Sequence, residues 1–163
     1  MPPKPLMNAS KYGDLWTPKE AWLPMGKFLY DNCRWVSKIW EPAFGSGQLS
    51  QLMNEQGYTV HPTKDDFLTY KFGAIPADCI VTNPPYSLKF QFMERALEIG
   101  LPFAFLLPIT TLGTARAQKV FAKQRFDLIL LPKRIDFTGK KAPWFAVAWF
   151  CCGFEGEGIQ WPT

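Results

Sequence analysis

Apolar residues fall into two kinds of run, which alternate along the chain between residues 18 and 152. Short, mostly apolar runs predict buried strands at 38–41, 78–82, 103–107, 127–131 and 144–152, with a weaker candidate at 59–64. Segments with apolar residues every three or four positions predict helices at 18–32, 48–56, 87–99 and 114–124. Such alternation indicates a mainly parallel sheet covered on both faces, with ligands bound beyond the carboxyl ends of strands.

Residues that favour helix ends mark several boundaries. Thr17 stands at a candidate N-cap, followed by proline at the first helical position and by Glu20 at the third, which predicts a capping box. Ser87 predicts the cap of the helix at 87–99. Gly57 and Gly100 predict the ends of two helices.

The composition predicts one globular domain. The chain has 163 residues, of which 47% are hydrophobic and 20% charged. No apolar run approaches the about 20 residues that a membrane span needs. The first residues, Met-Pro-Pro-Lys-Pro, have no apolar stretch behind them, so we expect a flexible lead over about residues 1–15, no secretory signal and a cytoplasmic protein.

The cysteines do not predict a metal site. No two of them have the C-x-x-C spacing, and His61 is the only histidine. We therefore expect no metal and four reduced core thiols, at Cys33, Cys79, Cys151 and Cys152.

Basic residues are concentrated in one part of the chain. The net charge is +4, and residues 89–141 contain ten basic residues but four acidic ones. This distribution favours a polyanionic partner, although a solvated basic surface would have the same composition.

A glycine turn follows the first predicted strand. Residues 41–47 read Glu-Pro-Ala-Phe-Gly-Ser-Gly, so glycines allow the backbone to approach a ligand just before a helix begins. Such turns also close strands for purely conformational reasons. Because Glu41 would repel a pyrophosphate and attract a cationic amino group, a ligand with an ammonium group is favoured over a dinucleotide.

A rigid motif, Asn83-Pro84-Pro85-Tyr86, ends the strand at 78–82. The prolines cannot continue a sheet ladder and hold a fixed, extended exit. With these residues in place, most of the chain resembles the S-adenosylmethionine-dependent amino-methyltransferases that act on the N6 amine of adenine in DNA, especially small orphan enzymes encoded by phages. Other matching segments are 16–18 and 66–68 for the cofactor, 41–47 for the glycine turn, 134–137 beside the target base and 148–150 in the closing strand.

The resemblance implies a fold and a chemistry. It implies a single Rossmann-like class I methyltransferase domain over residues 1–163, with a mainly parallel seven-stranded sheet and an antiparallel C-terminal strand. The Asn83 side-chain oxygen and the Pro84 carbonyl would accept the hydrogens of the target amine, with Pro85 keeping the motif rigid. Tyr86 would stack on a flipped base, with Phe137 as a candidate for its other face.

The resemblance also implies S-adenosylmethionine as cofactor. Glu41 would meet its ammonium group, Thr17 and Pro18 its carboxylate end, Asp66 the adenine amine and Phe67 the adenine ring. The residues expected around it are Trp16, Thr17, Pro18, Glu41, Pro42, Ala43, Gly45, Gly47, Asp65, Asp66, Phe67 and Asn83. The usual acid at the end of the second strand is missing, since Thr63 and Lys64 occupy that place, and either Asp65 or no acid binds the ribose.

DNA is the expected partner, and RNA is a second candidate. We expect the protein to be a monomer or a weak dimer. We expect phosphate contacts from Arg116, Lys119, Lys123, Arg125, Lys133, Arg134, Lys140 and Lys141, no separate recognition domain and little sequence preference. Two alternatives stay open: methylation of RNA bases or of a protein glutamine amide, and a catalytically silent binding subunit with the same fold.

Overall fold

A computed structural model describes residues 17–43, 45–64, 66–71, 73, 75–136 and 145–163. In this part of the chain, four helices are α1 (Lys19–Asn32), α2 (Gln48–Glu55), α3 (Lys89–Ile99) and α4 (Ala115–Phe121). The strands are β1 (Lys38–Glu41), β2 (Thr59–Pro62), β3 (Cys79–Thr82), β4 (Phe103–Pro108), β5 (Phe126–Leu130), β6 (Val147–Cys152) and β7 (Ile159–Gln160). Short 3-10 turns occupy Tyr86–Leu88 and Ile109–Gly113.

The strands form one sheet in the order β2-β1-β3-β4-β6-β5-β7. β6 is antiparallel to its neighbours β4 and β5, whereas the other adjacent pairs are parallel. All strands except β6 therefore run in the same direction, and their carboxyl ends meet at one edge of the sheet. The predicted α/β class with a mainly parallel seven-stranded sheet is confirmed.

The strand predicted at 144–152 is the antiparallel one, β6, and a short strand that was not predicted follows it. β7 follows β6 and pairs in parallel with β5, with Leu128 opposite Ile159 and Ile129 opposite Gln160. Its two residues lie at the sheet margin, where the side chain of Ile159 is 53% exposed. A strand so short and exposed has no apolar run by which the sequence could predict it.

The central strands carry the core. Every residue of β3 and β6 is buried, as are the first five residues of β4. α1 packs against α2, and α3 packs against α4. Because the central strands are buried on both faces, their sequences are continuous apolar runs. For this reason their positions could be predicted from the sequence.

The predicted cap at Thr17 is wrong. Pro18 occupies the N-cap position of α1, and its carbonyl accepts from the N–H of Ala21 at 3.0 Å. Thr17 lies one residue outside the helix, because a residue before proline is restricted to extended backbone. Its hydroxyl instead accepts a hydrogen bond from Asn83.

The predicted cap at Ser87 is also wrong, whereas the predicted helix start at Thr114 is correct. Ser87 is exposed and lies within the 3-10 turn that precedes α3, where the N–H of Leu88 donates to the carbonyl of Pro85 at 2.9 Å. That tighter turn delays the helix to Lys89. Thr114 caps α4 by accepting from the N–H of Ala117 at 3.3 Å.

Two elements end earlier than the predicted ranges 59–64 and 114–124. β2 stops at Pro62, although the N–H of Thr63 still donates to the carbonyl of Glu41 at 3.1 Å. α4 stops at Phe121, its last buried residue, and the next four residues are exposed. Because all four are exposed, they gain little from helix formation.

Over the described residues, no helix has the length and hydropathy needed to cross a membrane. The same residues contain no cluster of three or more histidine, cysteine or acidic side chains able to hold a metal ion. The four cysteines are buried and unbonded to one another.

Candidate active site

The candidate site lies at the sheet edge where the parallel strands end. Glu41 is the last residue of β1, and Asn83 directly follows β3. β1 and β3 are adjacent and parallel, with Ile39 opposite Cys79 and Trp40 opposite Ile80. The topology therefore brings together the ends of the two strands that carry the glycine turn and the Asn-Pro-Pro-Tyr motif.

The turn after β1 depends on its glycines for backbone conformation. Gly45 and Gly47 have φ values of 52° and 82°, in the left-handed region that favours glycine. A Cβ on Gly45 would meet Ala43 O only at 3.8 Å, so conformation rather than crowding requires glycine there. Pro42 is buried and Ala43 half-buried, and α2 begins immediately after Gly47.

Glu41 is a buried acid, with 2% of its surface exposed. Its Oε2 accepts a hydrogen bond from the hydroxyl of Ser50 on α2. Burial raises the pKa of the Glu41 carboxyl to about 8, although hydrogen bonds from Ser50 act in the opposite direction. The carboxyl is thus mostly protonated at neutral pH, and a cation beside it would favour the charged form.

Ser50, the partner of Glu41, was not among the predicted site residues. Leu49, Ser50 and Met53 are the buried residues of α2. Ser50 and Met53 are three positions apart, so they lie on the same face of the helix. A serine on the buried face of the helix that follows a glycine turn is a signal that could have identified it.

Gln48 offers a second acceptor near this turn. It is the first residue of α2, and its Oε1 is buried without a hydrogen-bond partner among the described residues. A buried acceptor without a partner costs free energy that a donor ligand would recover. Gln48 Oε1 is therefore a candidate acceptor for a donor group of a ligand at this turn.

The Asn-Pro-Pro-Tyr motif makes a rigid exit from β3. Pro84 and Pro85 are buried, and Pro85 has extended backbone, with φ −61° and ψ 123°. Asn83 is half-buried, and its Nδ2 donates to the Thr17 hydroxyl at 3.3 Å. The site thus includes the start of α1 as well as two strand ends.

Tyr86 is more enclosed than its expected stacking role suggests. Its side chain is 6% exposed, and its ring meets that of Phe145 edge to face, with centroids 6.2 Å apart. Burial alone raises the pKa of the phenol. The ring therefore offers little open surface on which a base could stack.

The segment expected to hold the adenosine is divided between surface and core. Asp66 is exposed, and its Oδ1 accepts from the N–H of Leu68 at 3.0 Å, which closes a turn. Phe67 is fully buried against Trp40 and Phe92, with centroids 5.4 and 4.7 Å away. Its ring has no exposed face for adenine, so Asp66 and the turn backbone are the parts of this motif that can meet a ligand.

The expected phosphate contacts are at the surface. Arg116, Lys119, Lys123, Arg125, Lys133 and Arg134 are all exposed. Arg116 forms a bidentate ion pair with Glu94, at 2.7 and 2.9 Å, which a phosphate would have to replace. Solvent screens an exposed pair of this kind, so a phosphate could replace the carboxylate.

Lys89 is a further cation near this site that was not among the predicted phosphate contacts. It is the first residue of α3, and its Nζ donates to the Tyr86 carbonyl at 3.4 Å. The Nζ also lies 4.8 Å from the ring centroid of Phe90, and the Arg116 guanidinium lies 5.2 Å from the same centroid. These contacts bring both cations to the ring of Phe90, and Lys89 also to the Asn-Pro-Pro-Tyr motif.

Five expected site residues lie outside the described residues. They are Trp16, Asp65, Phe137, Lys140 and Lys141.

No family model matches the sequence, and no curated protein matches it either. The fold is nevertheless shared with solved structures. A protein from Listeria monocytogenes assigned to the class I S-adenosylmethionine-dependent methyltransferases superposes with a TM-score of 0.64 at 17% identity, covering 92% of this chain and 64% of its own. This chain thus spans less than two thirds of that protein's length.

Two further similar structures are described as RNA methyltransferases. One, from Pyrococcus horikoshii, has a TM-score of 0.61 at 12% identity, covering 86% of each chain. The 23S rRNA methyltransferase ErmE has a TM-score of 0.54 at 13% identity, covering 91% of this chain and 72% of its own. At these identities the likeness shows the fold, which is that of Rossmann-like class I methyltransferases.

Proposed function

We propose that this protein transfers a methyl group from S-adenosylmethionine to the N6 amine of adenine in DNA, with little sequence preference. The observation that carries the proposal is the position of Asn83 and Pro84 at the end of β3, beside the strand that ends in Glu41. The class I methyltransferase fold supports the reaction class.

The residues near the glycine turn suit the cofactor. Glu41 and Gln48 would hold its ammonium group, Thr17 and Pro18 would meet its carboxylate end, and the turn at Asp66 would face its adenine. When bound, S-adenosylmethionine supplies an electrophilic methyl group: the amine nitrogen bonds to its carbon as the carbon–sulfur bond breaks, the electron pair stays on sulfur, and nitrogen releases one proton to solvent.

Asn83 and Pro84 would activate the amine by accepting its two hydrogens. An aromatic amine is a poor nucleophile because its lone pair is delocalised into the ring. Acceptors aimed at both N–H groups stabilise the positive charge that grows on nitrogen during attack. Because Pro84 and Pro85 restrict the backbone, the Pro84 carbonyl would need little reorganisation as the reaction proceeds.

The distribution of cations supports a nucleic-acid substrate. Lys89 and Arg116 lie in the first turns of α3 and α4, while Lys133 and Arg134 follow β5. Helices that follow parallel strands begin at the carboxyl edge of the sheet, so these four residues border the candidate site on the side away from Glu41. A phosphate backbone would bind there through its charge, and such contacts do not distinguish one base sequence from another.

Base flipping would complete substrate binding, since an adenine inside a duplex cannot reach this edge. Extrusion of a base costs a few kcal/mol, and stacking on an aromatic ring returns about 1–3 kcal/mol. Tyr86 would supply that ring after displacement of Phe145. We also propose that the protein acts as a monomer or a weak dimer.

Methylation of an RNA base is the second candidate. It is favoured by the fold shared with proteins described as RNA methyltransferases. The chemistry at nitrogen and the cation arrangement would serve either polymer.

The deciding experiment is transfer of radiolabelled methyl from S-adenosylmethionine to duplex DNA, single-stranded DNA, RNA and total protein in parallel, followed by identification of the modified atom. Label on adenine N6 in DNA supports the first candidate, and label on an RNA base supports the second. Label on protein alone, or on none of the four, overturns both.

A further inference from the structure

A side-chain hydrogen bond joins the start of α1 to the catalytic motif. Asn83 Nδ2 donates to Thr17 Oγ1 at 3.3 Å, across 66 residues of sequence. Thr17 is 5% exposed, so little water competes for this contact. Only the folded chain brings these two side chains together.

The direction of this hydrogen bond decides what Asn83 presents to a ligand. An asparagine amide has two N–H donors on nitrogen and acceptor sites on oxygen, at opposite ends of a planar group. Because Nδ2 is held by Thr17, Oδ1 points away from Thr17 and keeps its acceptor sites. The amine of the proposed substrate needs an acceptor, whereas a reversed amide would oppose it with N–H groups.

The prolines of the motif cannot supply this orientation. Pro84 and Pro85 restrict the backbone, but the terminal torsion of an asparagine side chain is broad and roughly two-fold. Backbone rigidity therefore fixes the Pro84 carbonyl and leaves the Asn83 amide free to rotate. A contact from outside the motif is required, and Thr17 provides one.

The position of Thr17 outside α1 makes this contact available. Pro18 is the N-cap residue and has extended backbone, with φ −73° and ψ 159°. As a residue before proline, Thr17 is itself kept out of the helix. Its hydroxyl is thus directed to Asn83 and does not cap the helix.

We propose that Thr17 is a positioning residue, whose hydroxyl oxygen holds the Asn83 amide so that Oδ1 accepts from the target amine. The inference rests on the proposed methyl transfer. It assigns the Thr17 hydroxyl a role in turnover and leaves the expected contact with the carboxylate end of the cofactor to the backbone N–H of Thr17, which a substitution of the side chain keeps.

Thr17→Val tests the role, because valine keeps the shape and removes the acceptor. We expect kcat to fall about 10-fold to 100-fold, the effect of a misplaced catalytic group, while the Kd for S-adenosylmethionine from calorimetry changes less than about 3-fold. Thr17→Ser should restore kcat to within about 3-fold of the wild type, since it restores the hydroxyl. Thr59→Val, at an exposed threonine that begins β2 at the opposite edge of the sheet, is the matched control.

A double-mutant cycle separates positioning from general damage. If Thr17 acts through Asn83, Thr17→Val should lower kcat no further in an Asn83→Ala background. The inference is overturned if the losses of the two single variants add, or if Thr17→Val has an unchanged kcat. It is also overturned if the loss of kcat is matched by a loss of cofactor affinity. Failure of serine to restore turnover would do the same.

A spectroscopic readout keeps this inference separate from the proposed function. Absence of methyl transfer by the wild type to every substrate would end the proposed function. The Asn83 side-chain N–H resonances still report the contact, since their hydrogen exchange should be about 10-fold or more slower in the wild type than in Thr17→Val. Equal exchange rates in a folded variant would overturn the positioning role.

Discussion

The hydroxyl of Ser50 on α2 donates a hydrogen bond to the carboxyl group of Glu41 at the end of β1. Both side chains are buried, so this contact links the glycine turn to the helix that follows it. Burial nevertheless raises the pKa of Glu41 to about 8. Both the stability of the fold and the binding of a cationic ligand should therefore depend on pH.

Stability should fall with rising pH because of Glu41. Its pKa is about 8 in the folded protein and near its usual 4.5 when unfolded, so the folded state holds the proton more tightly. The stabilisation is complete below pH 4.5 and is lost as the pH rises through 8. Between these values Glu41 should lower the free energy of unfolding by about 1.4 kcal/mol per pH unit.

Glu41→Gln measures this effect, because glutamine stays neutral. Urea unfolding of both proteins between pH 5 and 9 should show the variant gaining stability relative to the wild type as the pH rises. Glu20→Gln, at an exposed acid in the first turn of α1, is the control and should parallel the wild type. If the Glu41→Gln curve also parallels the wild type, the buried acid does not titrate in this range.

Binding of S-adenosylmethionine should release a proton near neutral pH. An ammonium group beside Glu41 favours the carboxylate, which lowers the pKa of this acid from its value in the free protein. Affinity should therefore increase with pH up to about 8 and level off above it. Calorimetry in phosphate and in Tris buffer should give different binding enthalpies, because the buffer takes up the released proton. The difference should be at most the difference between the ionisation enthalpies of the two buffers, which corresponds to one proton. Buffer-independent enthalpies would remove Glu41 from the ammonium site.

Asn83→Ala should reduce turnover by about 100-fold or more, because it removes one of two acceptors for the amine. The Kd for S-adenosylmethionine should change little, since the ammonium and adenine contacts are elsewhere. Initial-rate measurements with saturating cofactor test the first expectation, and calorimetry tests the second. Asn54→Ala, at an exposed asparagine in α2, is the control. Methylation by Asn83→Ala at the wild-type rate would show that the catalytic assignment is mistaken.

The sequence predicted the parts of the fold that local pattern determines. The wholly apolar run of β4 reflects burial on both faces of the sheet, and Gly100 ends α3, where its N–H donates to the carbonyl of Ala96. Both signals lie within a few residues of the element that they mark. β7 could not be predicted, because its two residues are held by pairing with β5.

The candidate site shows the same limit. Thr17-Pro18-Lys19-Glu20 has every local feature of a capping box, yet Thr17 contacts Asn83, which no short-range pattern can reveal. Phe67 was expected at the cofactor but fills the core against Trp40 and Phe92, because a motif fixes residue type and not the direction of a side chain.

The C-terminal segment should depend on Asp127. This buried carboxylate accepts from the N–H of Gly158 at 2.7 Å and from that of Gly156 at 3.2 Å, holding the chain that leads into β7. Asp127→Ala leaves both donors without a partner and should lower the free energy of unfolding by about 2–4 kcal/mol. Urea denaturation measures this change in the free energy of unfolding. Asp31→Ala removes an exposed ion pair with Lys27 and should cost less than about 1 kcal/mol; equal losses would refute the role of Asp127.

Nucleic-acid affinity should depend on the cations at the carboxyl edge of the sheet. Lys133 and Arg134 are exposed residues that follow β5 at this edge, whereas Lys38 begins β1 and lies at the opposite edge. Replacing both Lys133 and Arg134 by alanine should weaken binding and reduce the slope of log K against log salt by about 2, since each phosphate contact contributes about 0.9.

Fluorescence anisotropy with a labelled DNA duplex, titrated at several salt concentrations, measures this slope. The loss should be similar for duplexes of unrelated sequence, because phosphate contacts carry no sequence information. Lys38→Ala is the control for a simple change in net charge and should leave the slope within about 0.3 of the wild type. If the control and the double variant reduce the slope equally, the polyanion is held by overall charge and not by this edge of the sheet.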